Sequence, residues 1–215
     1  MLVDLSVPIV TGMPVYPGDP EVVVRPALTV ADDGVNVLGL HLGSQSGTHV
    51  DAPYHVGDGL PDLDALPLER FTGPATVADA RGLGPRAPIG PEAVAPYARA
   101  GAVLLIATGW ARHWGEQEYL AHPYLTPEAA ALIVEAGVRT VAIDALSVDP
   151  TPAEEFPAHA ILCGAHVVIG ENLRNLDVLA EAQERGRPIE VSMFPIRLAA
   201  ADGAPVRAVA RIGED

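Results

Sequence analysis

Residues 45–55 read QSGTHVDAPYH and hold two histidines, a carboxylate, a Gly-Thr bend and a proline. Alternate side chains of an extended chain share one face, so Gln45, Gly47, His49, Asp51, Pro53 and His55 project together. At a rise of about 3.3 Å per residue, His49 and Asp51 stand roughly 7 Å apart, which lets an imidazole and a carboxylate converge on one cation. Proline cannot donate to a ladder. Regular pairing should therefore end near Pro53 and leave His55 on a loop beside the cation. The competing reading is a polar strand end whose His and Asp merely bond each other. The density of ligand types in so short a stretch weighs against it.

Elements must position these groups. Residues 2–10 alternate weakly and read as a strand, and TGMPVYPGDP (11–20) as a stiff ordered loop. EVVVRPALTV and VNVLGLHLG read as strands, the second leading into the motif. His41 shares the parity of Gln45 and His49 but, as a lone strand histidine, is placed outside the site. The acids of 57–74, Asp58, Asp62, Asp64 and Glu69, sit among turn residues and read as solvated. ATVADA (75–80) is a short strand, and Pro91 starts a helix. AVLLIATG (102–109) has the continuous apolar pattern of a strand buried on both faces. TPEAAALIVEAG (126–137) is a helix with Thr126 as N-cap and Gly137 as terminator, and VRTVAID is a second buried strand. Strand, helix and strand in series predict a βαβ unit with parallel strands. A helix over 171–186 and two terminal strands, in PIEVSMFPIRLA and APVRAVARI, complete one mixed α/β domain spanning 1–215.

Bulk properties narrow the function. A chain of 215 residues with 49% hydrophobic and 19% charged residues suits one compact domain with a sizeable core. The net charge of −15 disfavours nucleic-acid phosphates and anionic membrane surfaces. No apolar run is long enough to span a bilayer. The N-terminus lacks a basic segment before its apolar residues, which argues against a signal peptide. Cys163 stands alone in AILCGA and reads as buried filler; with no internal disulfide possible, a cytoplasmic location is expected.

GTHVDAPYH resembles the signature of the cyclase-like metal hydrolases, a family that includes bacterial kynurenine formamidase, isatin hydrolase and some lactone hydrolases. The family pattern His-x-Gly-Thr-His-x-Asp-x-Pro-x-His is matched at Gly47, Thr48, His49, Asp51, Pro53 and His55, with Gln45 in place of the first His. DLSVPIVTGMPVYPGD, TGWARHW (108–114), AIDALSVD (142–149) and the pair His159 and Glu171 are similar to further landmarks in the same order. The resemblance implies the swivelling β/β/α architecture and a substrate pocket near Tyr16 and Pro17. It also implies a centre completed by His159 and Glu171. His159 falls in an apolar turn, and Glu171 has the alternative reading of a helix-start acid.

The expected centre is thus a divalent cation, Zn or Mn, held by Gln45, His49, Asp51, His159 and Glu171. Such an ion lowers the pKa of a bound water from about 15.7 to about 7 and polarises the carbonyl under attack. His55 suits proton transfer to the leaving group. No Gly-x-Ser-x-Gly elbow occurs, which removes the obvious serine-hydrolase route. Three functions compete: hydrolysis of an aryl formamide such as N-formylkynurenine, hydrolysis of a cyclic amide such as isatin or of a lactone, and non-catalytic binding on the same fold. The expected partners are a small-molecule substrate and further copies of the chain, in a dimer or tetramer. Trp110, Trp114 and the Pro-rich loop are candidate contacts between copies. Trp110 and Trp114 serve equally well as walls of an aromatic pocket or as caps on the core.

Overall fold

The computed structural model describes residues 1–214; residue 215 of the expected 1–215 domain lies outside the described residues. Thirteen strands occur among them. They are β1 (Leu2–Asp4), β2 (Val23–Leu28), β3 (Val37–His41), β4 (His49–Asp51), β5 (Thr72–Asp79), β6 (Pro88–Ile89), β7 (Val103–Ala107), β8 (Tyr124–Leu125), β9 (Thr140–Ile143), β10 (Val168–Glu171), β11 (Ile189–Ser192), β12 (Gly203–Pro205) and β13 (Val209–Ile212). The helices are α1 (Val30–Asp33), α2 (Pro91–Val94), α3 (Pro127–Glu135), α4 (Pro157–Gly164) and α5 (Leu176–Glu184). Nine strands form one mixed sheet in the order β1-β13-β11-β5-β7-β9-β10-β4-β12. Its centre, β5-β7-β9-β10, is parallel, and its flanks are antiparallel.

Period-two alternation in the central strands explains the two-sided core. Leu104 and Ile106 of β7 pack with α2, α3 and α4, while Val103, Leu105 and Ala107 face α5 and the flanking strands. Burying one such leucine contributes about 1.5–3 kcal/mol. The expected βαβ unit is present: β7 and β9 pair in parallel across α3. Thr126 caps α3 by accepting the Ala129 N–H at 3.2 Å. Gly137 follows that helix at φ +72°, a conformation costly for a side chain bearing Cβ.

The segment expected as the last strand is instead two, β12 and β13. The sheet curls so far that the chain from 206 to 208 crosses between them, with Val206 donating to Thr48 O and Leu5 to Ala208 O. The helix expected over 171–186 begins only at Leu176, because Glu171 ends β10 and Asn175 is left-handed at φ 59°. His159 lies on α4 rather than in a turn. β2 and β3 form a separate hairpin that exposes Val37, Leu38 and Leu40. No helix is long and apolar enough to cross a membrane among the described residues.

Candidate metal centre

The motif's bend comes first. Gly47 turns at φ +69°, and its carbonyl accepts from His49 Nδ1 at 2.8 Å and from Asn172 Nδ2 at 3.0 Å. Thr48 Oγ1 accepts the Val7 N–H and donates to Asn172 O at 2.7 Å, tying the bend to the end of β10. After the bend His49 and Asp51 enter β4, whose antiparallel register on β10 sets Glu171 directly opposite His49. α4 brings His159 onto the same face. Pro53 ends the strand and opens a 3-10 turn (Pro53–Val56) that carries His55, whose ring centroid lies 5.8 Å from that of His159.

Two imidazoles and two carboxylates converge. His49 Nε2 lies 3.5 Å from both Asp51 Oδ1 and Glu171 Oε2. His159 Nε2 lies 3.7 Å from Asp51 Oδ2 and 3.5 Å from Glu171 Oε1. Each carboxylate therefore turns one oxygen to each histidine. Both rings are held from behind: His49 Nδ1 on Gly47 O, and His159 Nδ1 on Asp149 Oδ2 at 2.7 Å. With Nδ1–H so engaged, each Nε2 is the free ligand atom.

The donor set fits a cation. Asp51 is 0% exposed, and neither of its oxygens has a hydrogen-bond partner. A buried carboxylate in that state is costly unless a positive charge meets it. Ligand atoms of His49, Asp51 and Glu171 all lie within 4.8 Å of one another. The charge balance points the same way. Burial alone would drive a proton off His49, but Asp51 and Glu171 outweigh it and raise its pKa to about 9. Burial likewise opposes the proton on His159, where Asp149, Asp51 and Glu171 prevail and raise it to about 10. The carboxylates thus attract positive charge that, without a cation, only protons supply. Two imidazole nitrogens with carboxylate oxygens suit Zn²⁺ or another first-row divalent ion.

Gln45 lines the same cavity but directs its amide nitrogen elsewhere, donating to Asp202 Oδ2 at 2.8 Å. Its Oε1 is buried and has no hydrogen-bond partner. The cavity above the cluster holds about 680 Å³ and is walled by Tyr16, Pro17 and Phe156, with Glu154 and Glu155 also on its lining. Tyr16 and Phe156 meet edge-on, centroids 6.1 Å apart. The tryptophans are elsewhere. Trp110 is 1% exposed, packed in the helix-side core with Nε1 donating to Glu118 O, and Trp114 stands edge-on against Tyr119. Trp110 thus caps the core and is no contact surface. His166 is an exposed residue at φ 60° before β10. Cys163 is buried on α4, and burial pushes its thiol pKa up.

Asp149, Asn172, Phe156 and Asp202 were not singled out in the sequence. Asp149 had a signal, since it ends the AIDALSVD landmark. It is fully buried and accepts three N–H groups from the start of α4.

The family model described as "Putative cyclase" matches residues 3–150. The chain belongs to the cyclase family. Among curated cyclase relatives, the kynurenine formamidase of Salinibacter ruber is 33% identical, with 100% of this chain and 99% of the relative covered. That of Bordetella petrii is 32% identical, with 97% and 96% covered. Among solved structures, an isatin hydrolase bound to the product analogue thioisatinate superposes with a TM-score of 0.85 at 22% identity, covering 97% of this chain and 91% of that one. A "predicted metal-dependent hydrolase from Bacillus stearothermophilus" gives 0.80 at 25% identity, with 98% and 97% covered. The curled mixed sheet of this chain is the cyclase fold.

Proposed function

We propose that this cyclase-family chain is a metal-dependent hydrolase of small amides, with an aryl formamide of the N-formylkynurenine kind as substrate. One observation carries the reading: a fully buried Asp51, with no hydrogen bond to either oxygen, stands between two histidines held by their Nδ1 atoms. His49, Asp51, His159 and Glu171 would hold the ion, Zn²⁺ or Mn²⁺. The partnerless Oε1 of Gln45 is the atom through which that residue would join them. When bound, the cation supplies an activated water and polarises the carbonyl.

The chain's own residues do the rest. Tyr16 and Phe156 offer apolar faces to an aryl group, which orients the amide towards the cluster. His55, on the cavity wall, gives a proton to the departing nitrogen as the C–N bond breaks. Water adds to the carbonyl carbon, so the products are formate and the aryl amine. The same attack on a cyclic amide or lactone would open the ring, and the kynurenine formamidase relatives favour the formamide. The intact cluster argues against a purely binding role.

The test is metal analysis of the purified protein, then spectrophotometric assay on N-formylkynurenine, isatin and an aryl lactone. Turnover of the formamide that a chelator removes and Zn²⁺ or Mn²⁺ restores is the expected result. A metal-loaded protein that hydrolyses none of the three would overturn the reading. We also propose a two-fold dimer, for which the apolar residues exposed on the β2–β3 hairpin, Leu38 at 61% and Leu40 at 62%, are the contact surface. A two-stranded hairpin is marginal alone in water. Light scattering showing a monomer of 22.4 kDa would refute the dimer.

A further inference from the structure

His55 and His159 face the same cavity, and each meets a carboxylate at Nδ1. For His159 that carboxylate is Asp149, deep in the protein. For His55 it is Asp202, at the entry to β12, with Nδ1 3.2 Å from Oδ2. We propose that Asp202 is the positioning residue of His55: it holds Nδ1–H and so presents Nε2 to the substrate. This rests on the reading of His55 as the proton-transfer group.

Asp202 is built into place. Its backbone carbonyl accepts the Ala52 N–H at 2.8 Å, which pins it beside the turn that carries His55. Its Oδ2 gathers three donors, Gln45 Nε2 at 2.8 Å, Ser44 Oγ at 3.1 Å and His55 Nδ1. Gly203 permits this arrangement, because a Cβ there would lie 2.6 Å from Gln45 Nε2 and 2.7 Å from Val50 O. Burial works against the Asp202 charge, but hydrogen bonds from Gln45, Ser44 and His55 prevail and hold its pKa below the usual value. It therefore acts as an acceptor only. Gln45 Nε2 and His55 Nδ1 are also 3.2 Å from each other, and both lie within hydrogen-bond reach of that oxygen.

An imidazole whose Nδ1–H is so engaged keeps its exchangeable proton site at Nε2. Unlike Asp149, Asp202 is partly open: the side chains of His55 and Asp202 are 33% and 36% exposed. Water therefore screens the charge, and fixing ring orientation and tautomer becomes the larger part of the effect.

The experiment is a double-mutant cycle on zinc-loaded protein, read by kinetics and by ¹⁵N NMR of the histidine rings. Asp202→Asn should lower kcat about 10–100-fold, by analogy with removal of a carboxylate that orients a metal-bound histidine. KM and zinc content should stay within about twofold of wild type. In NMR, His55 should pass from a single Nδ1–H tautomer to a mixture. In a His55→Ala background the same substitution should change kcat far less, leaving only what Asp202 contributes through Gln45 Nε2. Asp202→Glu keeps the charge and should recover part of the rate and of the tautomer signal. It carries the test if the Asn variant does not fold.

An equal loss in both backgrounds, or an unchanged His55 tautomer, overturns the proposal while leaving the acid–base reading of His55 intact. A His55→Ala variant with wild-type turnover removes that reading, and the proposal with it.

Discussion

Asp149→Asn is the most searching substitution, because it leaves every proposed ligand in place. Oδ2 of Asp149 accepts from His159 Nδ1 at 2.7 Å and from the His159 backbone at 2.9 Å, while Oδ1 accepts the Ala158 N–H at 2.9 Å. An asparagine has one acceptor oxygen. Turned towards His159, it sets its NH₂ against the Ala158 N–H and loses one buried backbone bond, a cost of about 1–3 kcal/mol. Turned the other way, it loses two bonds and favours the His159 tautomer with hydrogen on Nε2, where a metal would bind. The first orientation should dominate. Its bond to His159 is neutral rather than charge-assisted, and so roughly half as strong. Zinc affinity should fall about 10–100-fold, or about 1.4–2.8 kcal/mol. The apo protein should melt roughly 2–12 °C lower, the loss of 1–3 kcal/mol spread over a chain of this size. Chelator-competition titration and circular dichroism melts measure the two effects. A destabilised apo protein that binds zinc within twofold of wild type would show that His159 needs no orientation from Asp149, or is no ligand.

Asp51→Asn should fold, lose activity and lose metal as read by elemental analysis; wild-type turnover at full occupancy would defeat the site assignment. His55→Ala should keep its metal and lose roughly 10²–10⁴ in kcat, the usual contribution of a general acid–base group; parallel loss of metal would make His55 a ligand instead. Metal binding should also release protons. Since His49 and His159 have pKa values of about 9 and about 10, both are protonated at pH 7, and a cation must displace a proton from each Nε2. Raising the pH favours the cation, so the zinc association constant should climb about 100-fold per pH unit between roughly pH 6 and 8, two protons for one ion. Titrations in buffers of known zinc affinity check the slope, and a pH-independent constant would refute it.

Local sequence determined the elements whose apolar pattern is strong and close in the chain. β7, α3 and β9 were legible because alternation, an N-cap threonine and a terminating glycine act within a few residues. The motif from 45 to 55 was legible for the same reason: covalent spacing alone sends His49 and Asp51 to one face and stops the strand at Pro53. The position of Glu171 was decided by tertiary structure. Its sequence reads equally well as a helix start, and only pairing of β10 with β4 sets it opposite His49. Trp110 and Phe156 divided between core and cavity in a way that aromatic content could not foretell. Asp202 is an ordinary loop aspartate in the sequence, and Asp149 is marked there only by its place at the end of AIDALSVD. What distinguishes them is the set of donors that folding gathers around each carboxylate, from α4 for one and from the 44–45 bend and the His55 turn for the other. Those donors come from distant stretches, and a carboxylate's role depends on what surrounds it in space.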